Sequence, residues 1–134
     1  MLKRKESREN AFLLIFEKSF NDLSIDDILE LAVQYRDFEY DEFCESVFRG
    51  VFDNLSEIDA VIEENSKGWK VERIGKVALS VLRLAIYEIK YREDIPVSVS
   101  ANEAVELCKK YALEEDASFV NGILGTVARA QGNA

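Results

Sequence analysis

Residues 71–91 read VERIGKVALSVLRLAIYEIKY, and their spacing decides what kind of fold this chain adopts. Ile74, Ala78, Val81, Leu82, Ala85 and Ile89 recur at the three- and four-residue intervals of a helix, and Val77, Leu84 and Tyr91 widen the stripe. A helix apolar over so wide an arc must be covered on several sides, which places it at the centre of a core. The spacing predicts one helix over 71–91, the longest in the chain.

The same period continues outward in both directions. Toward the amino end, a helix is predicted over about Lys5–Lys18, with Ala11, Phe12, Ile15 and Phe16 facing inward. A second opens at Ser24, with Asp27 three residues on as a capping partner, and a third covers about Asp41–Asp53. Gly50 lies inside that third helix at a cost of about 1 kcal/mol relative to Ala, which implies close packing there. Ser56 with Asp59 repeats the start signal for a short helix that ends before Gly68. Toward the carboxyl end, Asp94-Ile95-Pro96 breaks the pattern. Helices then follow over about Ser98–Tyr111 and Asp116–Arg129, the last with Gly122 and Gly125 leaving room for a neighbouring backbone. Residues 130–134 read as a frayed tail. No strand-like alternation and no fixed repeat is present, so six or seven short-linked helices imply an all-α bundle, one domain over residues 1–134.

Charge divides the chain unevenly. Lys3, Arg4, Lys5 and Arg8 against Glu6 make residues 1–8 a basic arm, whereas the other 126 residues carry 13 Lys+Arg against 25 Asp+Glu. Lys and Arg neutralise phosphates and release counterions, so the arm is a candidate nucleic-acid contact; a solvated tail is the competing account. There is no histidine, which excludes Ser-His-Asp and Cys-His nucleophiles and His-ligated zinc. Cys44 and Cys108 form no CxxC pair and read as buried structural thiols, so no metal or cofactor site is expected. The longest apolar run, Ala11 to Phe16, is far short of the ~20 residues that cross a bilayer, and the expected location is the cytoplasm.

Three segments go beyond period: Leu82-Arg83-Leu84-Ala85-Ile86-Tyr87-Glu88, then Asn102-Glu103-Ala104-Val105-Glu106-Leu107, then Phe119-Val120-Asn121-Gly122-Ile123-Leu124. With Arg8-Glu9-Asn10-Ala11, Gly50, Trp69-x-x-x-Arg73 and Pro96-Val97, this ordered set resembles the NusB family of transcription antitermination factors over nearly the whole chain. The resemblance implies two roughly perpendicular three-helix bundles and a role that is not enzymatic. The implied partners are the single-stranded boxA element of ribosomal-RNA transcripts, the small-subunit ribosomal protein NusE and, indirectly, RNA polymerase. It implies an RNA surface of Lys3, Arg4, Lys5, Arg8, Phe16 (where relatives often have Tyr) and Phe119. Core packing is the competing account of both aromatics. Glu72 and Lys76 are candidates for the NusE-facing surface, where a carboxylate frequent in relatives is here Ala78. Glu6 within the arm and Glu114-Glu115-Asp116 before Phe119 oppose phosphate locally.

Asn102, Glu103 and Glu106 form a polar cluster but lack a base, a ligand set or a phosphate loop, so helix capping and interhelical hydrogen bonds account for them better than catalysis. Two alternatives stay open. One is the NusB-like accessory RNA-binding domain of a ribosomal-RNA methyltransferase, which needs a following α/β domain and a catalytic Cys. The other is a helical protein-interaction module without RNA binding.

Overall fold

The computed structural model describes residues 2–36 and 38–131. Among them are seven α-helices: α1 (Arg4–Lys18), α2 (Ile25–Arg36), α3 (Glu42–Asp53), α4 (Leu55–Asn65), α5 (Lys76–Tyr91), α6 (Val97–Tyr111) and α7 (Glu114–Ala130). No strand is present among the described residues. Residues 71–91 are not one helix. Val71–Arg73 make a 3-10 turn, Ile74 is extended and α5 starts only after Gly75. The Glu63 carboxylate accepts the Val71 N–H at 2.9 Å and holds that turn apart from α5, while Gly75 is a poor helix former. The longest helix is therefore α7, not α5.

The central position expected of α5 is what the structure has. Leu79, Val81, Leu82, Leu84, Ala85 and Ile86 are all buried, and the helix packs against α1, α3, α4, α6 and α7. Helices α5, α6 and α7 pack on one another, α1 lies on α2 and α3, and α4 bridges to α3, α5 and α7. All contribute to one core cluster.

Local signals are confirmed unevenly. Ser24 Oγ accepts the Asp27 N–H at 3.1 Å, so the expected cap forms; Asp41, expected as the start of α3, lies just outside it, and its Oδ1 accepts the Cys44 N–H at 2.9 Å. Ser56 does not cap α4, which begins one residue earlier after Asn54. Asp59 instead grips the Arg83 guanidinium through two 2.9 Å bonds, because a tertiary cation is available to it. Gly50 is tightly packed: a Cβ there would sit 2.2 Å from the Tyr87 ring. Gly122 and Gly125 do not admit a neighbouring backbone. A Cβ on Gly122 meets nothing within 4 Å, and one on Gly125 meets only Arg129 of the same helix.

Cys44 and Cys108 are free and fully buried. Burial pushes the Cys44 thiol up to about 12 and the Cys108 thiol up to about 11. Of the expected frayed tail, Ala130 belongs to α7 and Gln131 to a turn, while residues 132–134 lie outside the described residues. No helix among the described residues is long and apolar enough to cross a membrane.

Candidate nucleic-acid interface

The basic arm is not a loose tail. Helix α1 already begins at Arg4, and Glu6, in its first turn, accepts the Lys3 N–H at 2.9 Å. Glu6 thus satisfies an otherwise open backbone donor and sits where the helix dipole favours an anion, which explains an acid inside a basic stretch. Lys3, Arg4 and Lys5 are exposed. The Arg4 guanidinium lies 4.0 Å from the centre of the Phe43 ring, with Arg92 at 5.0 Å from the same ring. Lys5 faces a cleft shared with Glu9, Glu103, Glu106 and Lys110.

Arg8 parts from the other three. Its side chain is buried, 3% exposed, and its Nε and Nη2 donate to the two carboxylate oxygens of Glu88 at 2.7 and 3.0 Å. Ser100 Oγ donates to the same carboxylate at 2.7 Å, and Glu103 approaches Arg8 at 3.7 Å. A buried guanidinium satisfied in this way binds α1 to α5 and α6 and offers nothing to a phosphate. The same network accounts for Glu103, which lies in the interior of α6 and not at its start, so helix capping does not describe it; Asn102 is exposed.

Phe16 and Phe119 are both half-buried: each packs one side on the core and leaves the other open. Lys5, Glu9, Phe12 and Phe16 fall along one face of α1, with Lys5 and Phe16 about 16 Å apart along its axis. Between them, α6 is fastened to α1 by Phe12 against Tyr111 (ring centroids 5.0 Å), by Lys110 donating to Glu9 at 2.6 Å and by a hydrogen bond from the Tyr111 hydroxyl to Glu9. Burial opposes ionisation of Glu9, but the bonds from Lys110 and Tyr111 outweigh it and hold that carboxyl below its ordinary range.

Past Phe16 the surface continues through Phe20 and Trp69, to which the sequence assigned no role, and through Lys76 and Phe119, to which it did. Phe20, 61% exposed, meets Phe16 edge-on at 4.9 Å, and Lys76 Nζ lies 5.7 Å from the Phe20 ring. Lys76 therefore stands beside the aromatic end of α1. The next residue back, Gly75, lines a cleft with Trp69, Arg73, Ile74, Ala78, Glu115, Asp116 and Phe119. Trp69 is 50% exposed and its ring centroid is 6.4 Å from that of Phe119. Glu72 is exposed on the 3-10 turn, and Ala78 is buried at the base of the cleft, where it presents almost no surface. Lys5 and Phe16 thus share a face of α1, Phe16 leads through Phe20 to Lys76, and Gly75, next to Lys76 in the chain, lines the cleft of Trp69 and Phe119. The signal for Phe20 and Trp69 was available: both are large aromatics beside turns, outside the periodic stripes.

Among the described residues no cluster of His, Cys, Asp and Glu could hold a metal ion. The family model for the NusB family matches residues 5–129. The transcription antitermination protein NusB of Acetivibrio thermocellus is 50% identical over 133 residues, covering 96% of this chain and 90% of that protein. The protein of the same name in Clostridium acetobutylicum is 48% identical over 131 residues, covering 94% and 95%. A crystal structure of antitermination factors NusB and NusE in complex with dsRNA superposes with a TM-score of 0.84 at 25% identity, covering 95% of this chain and 96% of that one. With a family match over nearly the whole length, close relatives at half identity and the same arrangement of helices, the chain belongs to the NusB family.

Proposed function

We propose that this protein is an RNA-binding transcription antitermination factor, not an enzyme, which binds single-stranded boxA-like RNA of ribosomal-RNA transcripts together with NusE and thereby acts on RNA polymerase indirectly. The observation that carries the reading is the set of aromatic rings left open to water, Phe16, Phe20, Trp69 and Phe119, with the exposed cations Lys3, Arg4 and Lys5 at the start of the helix that carries Phe16. Cations supply phosphate affinity and rings supply stacking for unpaired bases, the combination that single strands require. Lys3, Arg4 and Lys5 are the phosphate contacts, and Phe16 and Phe119 are the stacking surfaces. Glu72, exposed on the 3-10 turn, and Lys76, at the start of α5, are the proposed NusE contacts.

The net charge of −9 opposes RNA binding at long range, so a partner protein that adds contacts makes the assembly stronger than either pair. The relative's complex was solved with double-stranded RNA, which makes strandedness part of the test. Labelled boxA RNA is titrated as single and double strands, with and without NusE. Tighter binding of the single strand, strengthened by NusE, is expected; equal affinity with and without NusE rejects the cooperative part, and no binding of any RNA rejects the reading.

A further inference from the structure

Trp69 is half exposed and meets the half-buried Phe119. A large apolar ring half open to water, next to a second half-open ring, marks a place where something is meant to cover it. We infer that Trp69 and Phe119 form a corner that receives one unstacked RNA base, and that Glu115 and Asp116 select there for bases carrying an exocyclic amino group, cytosine, adenine or guanine, over uracil. The inference rests on the RNA-binding reading and adds to it a base-reading position.

Four observations support it. The two ring planes meet at 75° with centroids 6.4 Å apart, so one ring offers a face to a base while the other closes its side with an edge. The corner is held before anything binds. Ser66 Oγ donates to the Trp69 carbonyl at 2.8 Å, Glu63 holds Val71, and Lys67 and Gly68 take the left-handed backbone (φ 55° and 94°) that turns the chain into position. Gly75 and the buried Ala78, the two smallest choices, line the corner, and the open cleft offers about 350 Å³. Arg73 lines the same cleft and forms no ion pair among the described residues, leaving its guanidinium for the flanking phosphate.

The base preference follows from the acids on the cleft wall. Ionised carboxylates only accept hydrogen bonds. Asp116 uses one oxygen on the Leu113 N–H at 3.2 Å and keeps the other, while Glu115 has no bonded partner among the described residues. Cytosine N4, adenine N6 and guanine N2 present amino donors at the rim of the base, whereas uracil has only its N3–H, set between the O2 and O4 acceptors that meet the carboxylates with like polarity.

Trp69 is the single tryptophan of the chain, so its emission reports this corner alone. The full chain is titrated at low salt with short oligocytidylate, oligoadenylate and oligouridylate, while the anisotropy of labelled oligonucleotide records binding in parallel. Saturable quenching is expected, about tenfold tighter for oligocytidylate and oligoadenylate than for oligouridylate. Phe119→Leu should weaken oligocytidylate binding about tenfold, the loss of one stacked base. Glu115→Gln, a surface change that leaves Trp69 in place, should bring the cytidine and uridine affinities within about threefold of each other. Binding seen by anisotropy with unchanged Trp69 emission overturns the inference and leaves RNA binding standing, as does equal quenching by cytidylate and uridylate. Quenching that requires NusE and is indifferent to RNA shows a protein contact instead and also overturns it. Absence of binding to every oligonucleotide overturns both the inference and the reading beneath it.

Discussion

Arg8 and Glu88 stand 80 positions apart in sequence and meet as a two-pronged ion pair, 2.7 and 3.0 Å, with Glu88 fully buried. This contact converts the last basic residue of the amino-terminal arm into the fastening of α1. Replacing Arg8 with Ala leaves a buried carboxylate unpaired and should lower stability by about 3–5 kcal/mol in urea unfolding. Unchanged stability combined with lost RNA binding would return Arg8 to the phosphate surface.

Lys3 and Lys5 should behave in the opposite way, since both are exposed. Lys3→Ala and Lys5→Ala are expected to change stability by no more than about 0.5 kcal/mol. Each should lower the salt dependence of RNA binding by about 0.7 in the log–log slope, the signature of one lost contact to a single strand. A slope equal to that of the unaltered protein would show that the RNA lies elsewhere.

Gly50 and Tyr87 are mutually dependent. A Cβ at residue 50 would lie 2.2 Å from Tyr87 Cε1 and 2.6 Å from its hydroxyl oxygen, so Gly50→Ala forces α3 and α5 apart or displaces the ring from its stack on Tyr91. The expected cost is about 1–3 kcal/mol despite the better helix propensity of Ala. Combined with Tyr87→Ala the loss should be clearly less than the sum of the two single changes, which a double-mutant cycle measures.

Asp41 gives the fold an acid limit. Burial opposes its ionisation, but hydrogen bonds from the Ser7 hydroxyl and the Cys44 N–H hold its carboxyl below the ordinary value of 3.8. A group whose folded pKa is depressed stabilises at pH above its unfolded value and loses that contribution as pH falls through the folded one. Glu9, depressed from 4.5, acts in the same sense. Stability should therefore decline as pH drops below about 4, and Asp41→Ala should both cost about 1 kcal/mol at pH 7 and flatten the acid limb. Urea midpoints between pH 7 and pH 3 provide the comparison.

Cys44 and Cys108 should resist alkylation in the folded protein at neutral pH, because burial keeps both as thiols and the thiolate is the reactive form. Mass spectrometry after iodoacetamide should find neither modified until denaturant is added. Rapid native labelling of either would mean that its helix opens locally.

The reading from sequence succeeded where the cause was local. Ser24 caps because its oxygen reaches an amide three residues away, and the stripe through Leu82 and Ala85 marks a buried face wherever the helix is placed. It failed where a distant group competed. Ser56 and Asp59 match a start signal, yet Asp59 is drawn to Arg83; Arg8 matches the basic arm, yet Glu88 lies beneath it. Phe16 and Phe119 carry helical spacing consistent with either burial or exposure, and only the positions of neighbouring helices leave one side of each ring open.

From the residues alone came the helical class, the order of the helices, the central place of α5 and the inert thiols, since each depends on short-range period, caps or composition. Tertiary structure decided which cations of the arm face water, that Lys76 stands beside Phe20, and that Trp69 meets Phe119. Those outcomes depend on side chains brought together from far apart in the chain, where desolvation and pairing, not spacing along the backbone, set the energy.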